Sequence, residues 1–383
     1  MIAEQAELEP DGRPPADLGD AVFGCILGTA VGDAMGLPYE GLSPGRARRL
    51  LGPPDRHRMV LGRGMISDDT EHTCLVARAL AASTGDPEIF SRELASGLRW
   101  WLLGLPAGIG WATLRAILKL WIGFGPGRSG VFSAGNGPAM RSAVIGVCHG
   151  FDRPRLEALV AASTRMTHTD PRAFYGALAV ALAAHTAACH GQHGPSRFLA
   201  RFEPVLVSQP GGPEFFQHIS AAAASVERGE SAVQFARRLG LEKGVSGFVV
   251  HTVPVALHGW MAHPDDYAAA LRAVLDCGGD ADTTGAIVGA VAGAGVGPSG
   301  IPDDWIGGLW EWPRSVAWMN RLARSLADGV HSPPAARVPG LPAAGLLARN
   351  LFFILIVLGH GVRRLLPPYG LCQPVVDDDS CPD

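Results

Sequence analysis

Two short acidic motifs carry the side chains best suited to chemistry in this 383-residue chain, SDDTEHT at 67–73 and GGDADTT at 278–284. Their candidate ligands are Ser67, Asp68, Asp69, Asp280, Asp282 and Thr283. Neither motif contains a lysine or an arginine. Carboxylates so close together repel each other, so the arrangement needs solvent or a cation. Ligands that are all oxygen are typical of a hard ion, Mg²⁺, Mn²⁺ or Ca²⁺, rather than of zinc or copper.

Each motif taken alone has an ordinary structural explanation. Asp68 and Glu71 have the spacing of a capping box, and an aspartate or threonine before AIVG is a common N-cap. Residues one or two apart on a regular helix point in different directions and cannot converge on one ligand. Shared ligation therefore requires irregular backbone before a helix, and the helical patterns CLVARAL and AIVGAVAG follow the two motifs. The occurrence of both motifs in one chain favours a shared metal site.

The elements that must position these motifs are helices. From about residue 20 to 327 the chain consists of Ala/Leu/Val runs at helical spacing, broken by Gly/Pro loops. FVVHTVPVAL is the only arguable strand, and its Pro254 is expected in the first turn of a helix instead. The pattern predicts an all-α, compact single domain at residues 21–327, in which both acidic motifs could share a metal site.

A glycine repeat predicts how two of these helices meet. Glycine recurs every four residues in two segments, at Gly24, Gly28, Gly32 and Gly36 and again at Gly285, Gly289 and Gly293. Residues four apart share one face of a helix, so each segment forms a stripe without side chains. Glycine costs up to about 1 kcal/mol per helical position against alanine, which implies a compensating close contact. We expect two buried helices with closely approaching backbones, each the partner of the other.

The segments outside this domain differ from it in composition. Residues 1–20 contain six carboxylates and one arginine and are expected to be a disordered acidic arm. Residues 328–344 are Pro-rich and predict a linker, and residues 371–383 predict a disordered tail. Between them, residues 345–370 include LFFILIVL and predict an apolar helix docked on the core, with a membrane anchor as the alternative. This run is shorter than the ~20 apolar residues of a membrane span, so no transmembrane segment is expected.

Composition limits the class of protein. The chain is 47% hydrophobic and 18% charged, with a net charge of −4, so no general attraction to nucleic acid or to anionic membranes is expected. Its seven cysteines are scattered and form no CxxC pair, so neither a disulfide framework nor a zinc site is indicated. The N-terminus lacks the basic start and apolar run of a signal peptide. We expect a cytoplasmic protein.

Five motifs in order resemble the ADP-ribosylglycohydrolase family, whose best-known bacterial members reverse arginine ADP-ribosylation of dinitrogenase reductase. They lie between residues 21 and 326 and read GCILGTAVGDAMGLPYEG, SDDTEHT, GNGPAMRSAVIG, THTDPRAFYGA and CGGDADTTGAIVGA. The resemblance implies an all-helical fold and two Mg²⁺ (or Mn²⁺) ions held by the six side chains named above. Ser67 replaces the threonine usual in the family but keeps the hydroxyl. Glu40 matches a glutamate beside the metals that contacts a metal or the substrate ribose.

Further positions are matched less specifically. Gly135, Asn136 and Gly137 form a GNG turn that the resemblance places against the substrate, although an Asn-Gly turn alone explains the sequence. His168 resembles a histidine that borders bound ADP-ribose, and a structural histidine is the alternative. Asp33 lies on the apolar glycine-striped helix, where an unpartnered carboxylate would be costly, so we expect it to orient a ligand. The aromatic side chains of residues 105–137 are core residues by default and an adenine-stacking rim otherwise.

Together these observations predict a metal-dependent hydrolase that removes ADP-ribose from modified protein side chains, with the N-glycosidic bond to arginine first. The metals would bind the ribose diol, and Glu40 or Asp69 would accept the proton of the attacking water. The alternatives within enzymes are another ADP-ribosyl linkage or a small N-glycoside. The alternative from another class is an immunity or regulatory protein whose acidic arm blocks an ADP-ribosyltransferase.

Overall fold

The computed structural model describes residues 14–189, 195–207, 209–331 and 338–365. Within these ranges the chain forms α-helices and isolated β-bridges but no β-strand, which confirms the predicted all-α class. The first nine helices are α1 (Leu18–Gly36), α2 (Pro44–Leu51), α3 (Asp68–Ser83), α4 (Pro87–Leu103), α5 (Trp111–Trp121), α6 (Gly137–Met140), α7 (Ala143–His149), α8 (Arg153–Arg165) and α9 (Pro171–Cys189). The others are α10 (Pro195–Leu206), α11 (Gly212–Glu227), α12 (Ala232–Arg238), α13 (Val249–Ala262), α14 (Tyr267–Leu275), α15 (Ala281–Val296), α16 (Asp303–Gly308), α17 (Val316–His331) and α18 (Ala343–Leu365).

Helices α1 and α15 form the central pair of the fold, in antiparallel orientation. A Cβ placed on Gly28 would lie 2.2 Å from Gly289 O, and one placed on Gly32 would lie 2.1 Å from Gly285 O. Since real Cβ atoms do not approach backbone oxygen so closely, only glycine permits this packing. The predicted partnership of the two glycine-striped helices is confirmed. It brings the end of α1 next to the start of α15, where Asp282 lies.

The other helices surround this pair. Helix α3 packs against α1, α4 and α17, and α9, α13 and α14 pack against α15. The core side chains are mostly alanine, valine, leucine and isoleucine with almost no exposed area. Two helices among the described residues are long and apolar enough to cross a membrane by length and composition, 18–39 and 343–364. The first is 94% buried in the protein, whereas only 22% of the second is buried.

Three boundaries differ from the sequence expectations. Helix α1 begins at Leu18, and Asp17 is its N-cap, accepting a hydrogen bond from Asp20 N at 2.9 Å. Residues 18–20, predicted as part of the disordered arm, are therefore helical. Pro254 lies inside α13 rather than in its first turn, because the helix already begins at Val249, whose N–H donates to Ala134 O. Helix α17 continues to His331 and α18 begins at Ala343, so helix replaces both ends of the predicted linker at 328–344. Residues 1–13 and the predicted tail lie outside the described residues.

Candidate metal centre

The two acidic motifs meet at the start of two helices. Ser67 is the N-cap of α3, and its hydroxyl accepts from Asp69 N at 3.3 Å. The Asp69 carboxylate accepts from Ser67 Oγ at 3.1 Å and, from the other motif, from Thr283 Oγ1 at 3.3 Å. Residues more than two hundred positions apart therefore share one site, as predicted. The capping box considered for Asp68 and Glu71 is absent, since Ser67 is the cap.

Asp33 holds the first of these motifs in place from α1. Its carboxylate accepts from Ser67 N at 2.8 Å and from Thr70 N at 3.2 Å and Oγ1 at 2.5 Å. Asp33 is fully buried, and this loss of solvent raises its pKa to about 7 although the hydrogen bonds from Thr70 and Ser67 lower it. Asp33 therefore orients the loop at Ser67, mainly through hydrogen bonds from backbone N–H groups.

Backbone contacts position the second motif. Gly279 has φ +81, and a Cβ there would lie 2.0 Å from Val245 O, so this turn requires glycine. Gly279 N donates to Leu42 O at 2.8 Å and Asp280 N donates to Val245 O at 2.7 Å. These bonds bind the turn before α15 to the segment that follows Glu40.

Asn136 ties the GNG turn to the acidic centre. Its Nδ2 donates to Asp280 Oδ2 at 2.6 Å and to Thr252 Oγ1 at 3.0 Å, while its backbone N donates to Gly247 O at 3.0 Å. Its amide is thus committed to orienting Asp280. The sequence associated Asn136 with substrate and missed this link to a carboxylate and the part played by Thr252.

His168 lies against the same turn. A Cβ built on Gly135 would be 3.0 Å from His168 Nε2, and one built on Gly137 would be 3.3 Å from Cε1, so the ring packs on the GNG backbone. His168 is 3% exposed, and burial together with the charge of Arg141 lowers its pKa to about 3. The imidazole is therefore neutral at physiological pH. Its Nδ1 is hydrogen-bonded to Thr167 Oγ1 at 2.9 Å, which leaves Nε2 for one further hydrogen bond.

Glu40 and the loop that contains Gly108 lie at the edge of the centre. Glu40 follows the turn 37–39, and loss of solvent around its carboxyl together with the charge of Asp280 raises its pKa, against the opposing charge of Arg364. On another side, Gly108 approaches Asp68 so closely that a Cβ there would lie 3.2 Å from Oδ1. The aromatic residues of the 105–137 segment are exposed rather than in the core, at Trp111, Trp121, Phe124 and Phe132.

The electrostatics of the centre favour a cation. The pKa values of Asp68, Asp69 and Asp282 are raised well above their usual range, first because burial removes solvent and then because the other carboxylates lie near. Burial also raises the pKa of Asp280, although the hydrogen bond from Asn136 opposes it. Several buried acids that raise each other's pKa form a site that a positive ion would stabilise.

The donors present suit a hard divalent ion. Among the described residues, no three or more His, Cys, Asp or Glu side chains are arranged to enclose an ion as they stand. However, Asp69 Oδ1 and Asp282 Oδ1 are buried without any hydrogen-bond partner, which is costly for a carboxylate oxygen. With Ser67 and Thr283 beside them, these oxygens form the all-oxygen donor set that Mg²⁺ or Mn²⁺ prefers. The individual ligand assignments stay predictions.

A second group of buried charges lies directly behind the centre and was missed by the sequence analysis. Glu71, on α3, accepts from Arg314 at 2.5 Å and from Trp101 Nε1 at 2.5 Å. Arg349 from α18 lies 3.6 Å from Glu71 and pairs with Glu311. The sequence did not indicate this pairing, because Arg314 and Arg349 lie far from the motif in the chain. The buried Arg141 could have been predicted, because it is a single charge inside the otherwise uncharged segment GNGPAMRSAVIG. It is fully buried and donates to Ser163 O and Thr167 Oγ1.

Comparison with known proteins gives concordant results. The family model described as ADP-ribosylglycohydrolase matches residues 14–335. The chain is 30% identical to the ADP-ribosyl-[dinitrogen reductase] glycohydrolase of Rhodospirillum rubrum over 76% of this chain and 90% of that protein. It is 26% identical to the ADP-ribosylarginine hydrolase Tri1 of Pseudomonas putida (strain GB-1), over 85% and 86% of the two chains. A solved structure titled ADP-ribosylglycohydrolase-related protein complex has a TM-score of 0.58 and 27% identity, covering 82% of this chain and 99% of that chain.

Proposed function

The chain belongs to the ADP-ribosylglycohydrolase family and is a glycosidic-bond hydrolase that removes ADP-ribose, and we propose that it cleaves the N-glycosidic bond to arginine in modified proteins. The named relatives support this linkage, since one is called an ADP-ribosylarginine hydrolase and another acts on dinitrogen reductase. The observation that carries the proposal is the contact of Thr283 with Asp69, which joins both acidic motifs beside carboxylate oxygens that lack partners.

The residues proposed to hold two Mg²⁺ or Mn²⁺ ions are Ser67, Asp68, Asp69, Asp280, Asp282 and Thr283. When bound, such ions would supply affinity for the ribose diol and a more acidic water. The chain's own contribution is to fix these oxygens before substrate arrives. Asp33 fixes the Ser67 loop through backbone hydrogen bonds, and Asn136 fixes Asp280. Rigid placement of this kind lowers the entropic cost of reaching the transition state.

Glu40 is the proposed proton acceptor. It lies on the rim, where substrate can reach it, and its raised pKa brings its proton affinity closer to neutral pH, which suits a general base. In the reaction a water oxygen forms a bond to C1 of the ribose as the C1–N bond to arginine breaks. Glu40 takes the proton of that water, and the guanidine leaves with the bonding electron pair and regains a proton. Asp69 is the alternative acceptor.

Substrate-contacting residues are proposed at the opposite side of the centre. Gly135 and Gly137 expose backbone where His168 packs, and this neutral ring can share a hydrogen bond with a sugar or phosphate oxygen. The exposed aromatic side chains of residues 105–137 are the proposed stacking surface for adenine.

The test is incubation of the purified protein with arginine-, serine- and cysteine-linked ADP-ribosylated substrates, with release of ADP-ribose as the readout. We expect release from the arginine-linked substrate, loss of release in EDTA and recovery with Mg²⁺ or Mn²⁺. Release from the serine-linked substrate alone would mean that the protein cleaves the C1–O bond to serine rather than the C1–N bond to arginine. Full activity in EDTA or of Asp282→Ala would contradict the metal centre.

The acidic arm is tested by its own deletion. Removal of residues 1–13 leaves Asp17 as the cap of α1, whereas removal to residue 20 would cut the helix. If the arm blocks an ADP-ribosyltransferase, this deletion abolishes inhibition of that enzyme and leaves hydrolysis intact. An unchanged protein in both assays would leave only the hydrolase role.

A further inference from the structure

Helix α18 shows an inverted distribution of polar and apolar side chains. The residues that face the protein include Arg349, Asn350, His360 and Arg364, all hydrogen-bonded to the rest of the chain. The residues that face outward are apolar and form one stripe, Leu347, Leu351, Leu355, Leu358 and Val362. Steps of three and four residues keep them on one face, over about 22 Å of helix. A surface helix in water normally has the opposite arrangement.

The apolar stripe has no partner among the described residues. Leu355 is 67% exposed, and Leu358 and Val362 are each 60% exposed. Phe352, 44% exposed, adds to the stripe and packs edge-on against the exposed Trp310, with ring centroids 5.7 Å apart. A continuous apolar surface of this length indicates a binding surface for an apolar phase or a partner.

The charges beside the stripe are mostly positive, with the carboxylate of Glu40 near Arg364 as the exception. Arg363 is exposed in the last turn of α18, and α2 adds the exposed Arg46, whose guanidinium donates to Arg364 O at 2.5 Å. Helix α2 also contains Arg48 and Arg49. Neither α2 nor α18 contains an aspartate or glutamate. Among these arginines, Arg48 pairs with Asp276 at 3.5 Å.

We propose that this surface binds an anionic lipid membrane, with α18 lying in the plane of the interface. The apolar stripe would enter the acyl region while Arg46 and Arg363 contact lipid phosphates, the combination typical of interfacial amphipathic helices. Trp310 and Trp312, 49% and 60% exposed near the other end of α18, are the residue type enriched at the headgroup level. A second copy of the chain fits less well, because its α2 and α18 offer no carboxylate to these arginines.

The helix lies on the membrane rather than across it because its inner face is fixed to the protein. Arg349 donates to Ile66 O at 2.6 Å and pairs with Glu311, and its guanidinium is buried. Spanning a bilayer would require breaking this buried pair and exposing its charges to lipid, which is costly. Helix α18 lies outside the family-matched range of 14–335, so the apolar stripe is separate from the hydrolase centre in sequence, whereas Arg46, Trp310 and Trp312 lie within that range.

The test is flotation of the full-length protein with vesicles of phosphatidylcholine and with vesicles of equimolar phosphatidylcholine and phosphatidylglycerol. We expect tighter binding to the anionic vesicles, weakened by salt. The double variant Leu355→Glu/Leu358→Glu is expected to lose binding to anionic vesicles by about tenfold or more. The variant Arg46→Gln/Arg363→Gln is expected to lose about fivefold for each arginine, on anionic vesicles only.

The matched control is Val207→Glu, at a residue 59% exposed at the end of α10, away from α18. It adds charge to another exposed apolar site and is expected to bind vesicles almost as the wild type does. ADP-ribose release from a soluble substrate by all variants shows that they are folded. Failure of the wild type to bind anionic vesicles, or an equal loss in the control, would overturn the proposal. So would a dimer in light scattering that Leu355→Glu/Leu358→Glu dissociates.

Discussion

Two groups of buried carboxylates lie within one turn of each other on α3, and their surroundings are opposite. Glu71 is balanced by Arg314 and by hydrogen bonding to Trp101, with Arg349 nearby. Among the described residues, the Asp69 carboxylate accepts only from the hydroxyls of Ser67 and Thr283, and its Oδ1 has no partner. Its pKa is raised well above the usual range by burial and the nearby acids. The balanced carboxylate is the one expected to stabilise the fold, whereas the unbalanced ones are those proposed to bind a cation.

The difference teaches that charge balance, not burial or acidity, separates structural from functional carboxylates here. Asp69 and Glu71, two positions apart in one motif, belong to different networks, because such positions on a helix face different neighbours. Breaking each network should therefore affect different properties, activity in one case and stability in the other.

The largest expected effect is on activity. Asp282→Asn should lower ADP-ribose release by at least about a hundredfold, because it removes one of the oxygens proposed to hold the ions. Its free energy of unfolding without metal should be unchanged or higher, since a neutral amide relieves repulsion among the acids. The control is Asp265→Asn, at an exposed carboxylate, which should change neither property. If Asp282→Asn lowered both stability and activity, the proposed difference between Asp282 and Glu71 would be wrong.

The next effect is on stability. Glu71→Gln should lower the free energy of unfolding by about 3–5 kcal/mol, because it leaves buried arginines without their partner. Denaturant titration of this variant, with the exposed Glu93→Gln on the next helix as control, measures the loss. A change below about 1 kcal/mol would mean that Glu311 and water compensate, and the proposed structural role of Glu71 would be wrong.

A smaller effect separates the two networks by ion binding. Addition of Mn²⁺ or Mg²⁺ at a hundred times the dissociation constant should stabilise the folded chain by about 2.7 kcal/mol. Thermal unfolding should show this gain for the wild type and for Glu71→Gln, but not for Asp282→Asn. An equal gain in Asp282→Asn would place the ion elsewhere.

The smallest effect is a pH dependence at Asp33, measured without divalent ions. Its pKa is raised from 3.8 to about 7 by burial, so the folded chain keeps a proton that the unfolded chain releases at lower pH. Stability from this group is therefore complete in acid and is lost as pH rises towards 7. Relative to Asp33→Asn, the wild type should lose about 1 kcal/mol between about pH 6 and about pH 7.

The comparison with Asp33→Asn is needed because buried histidines act in the opposite direction. The pKa values of His149 and His258 are lowered to about 4 by burial, so their contribution is lost as pH falls instead. These groups are the same in both proteins and cancel in the difference. A difference that stays constant or grows with pH would show that Asp33 is ionised in the folded chain.

Much of the fold could be predicted from local patterns. Period-3.6 apolar runs gave the all-α class, and glycine at every fourth residue gave the pairing of α1 with α15, since only close backbone contact offsets its cost. The family resemblance is confirmed by the match over residues 14–335. The boundaries were weaker: Leu18 and Pro254 were misplaced because caps and tertiary contacts, not propensity, set where α1 and α13 begin.

The sequence by itself determined the all-α class, through the helical spacing of its apolar residues, and indicated two acidic motifs before helices as candidate ligands of an ion. Only the tertiary structure decided what each polar residue contacts. In it, Asn136 donates to Asp280, the Ser67 backbone donates to Asp33, and Arg314 donates to Glu71. It also turns the polar residues of α18 inward and its leucines outward. Such pairings join residues far apart in the chain, and their energies depend on distance and burial, which no local pattern specifies.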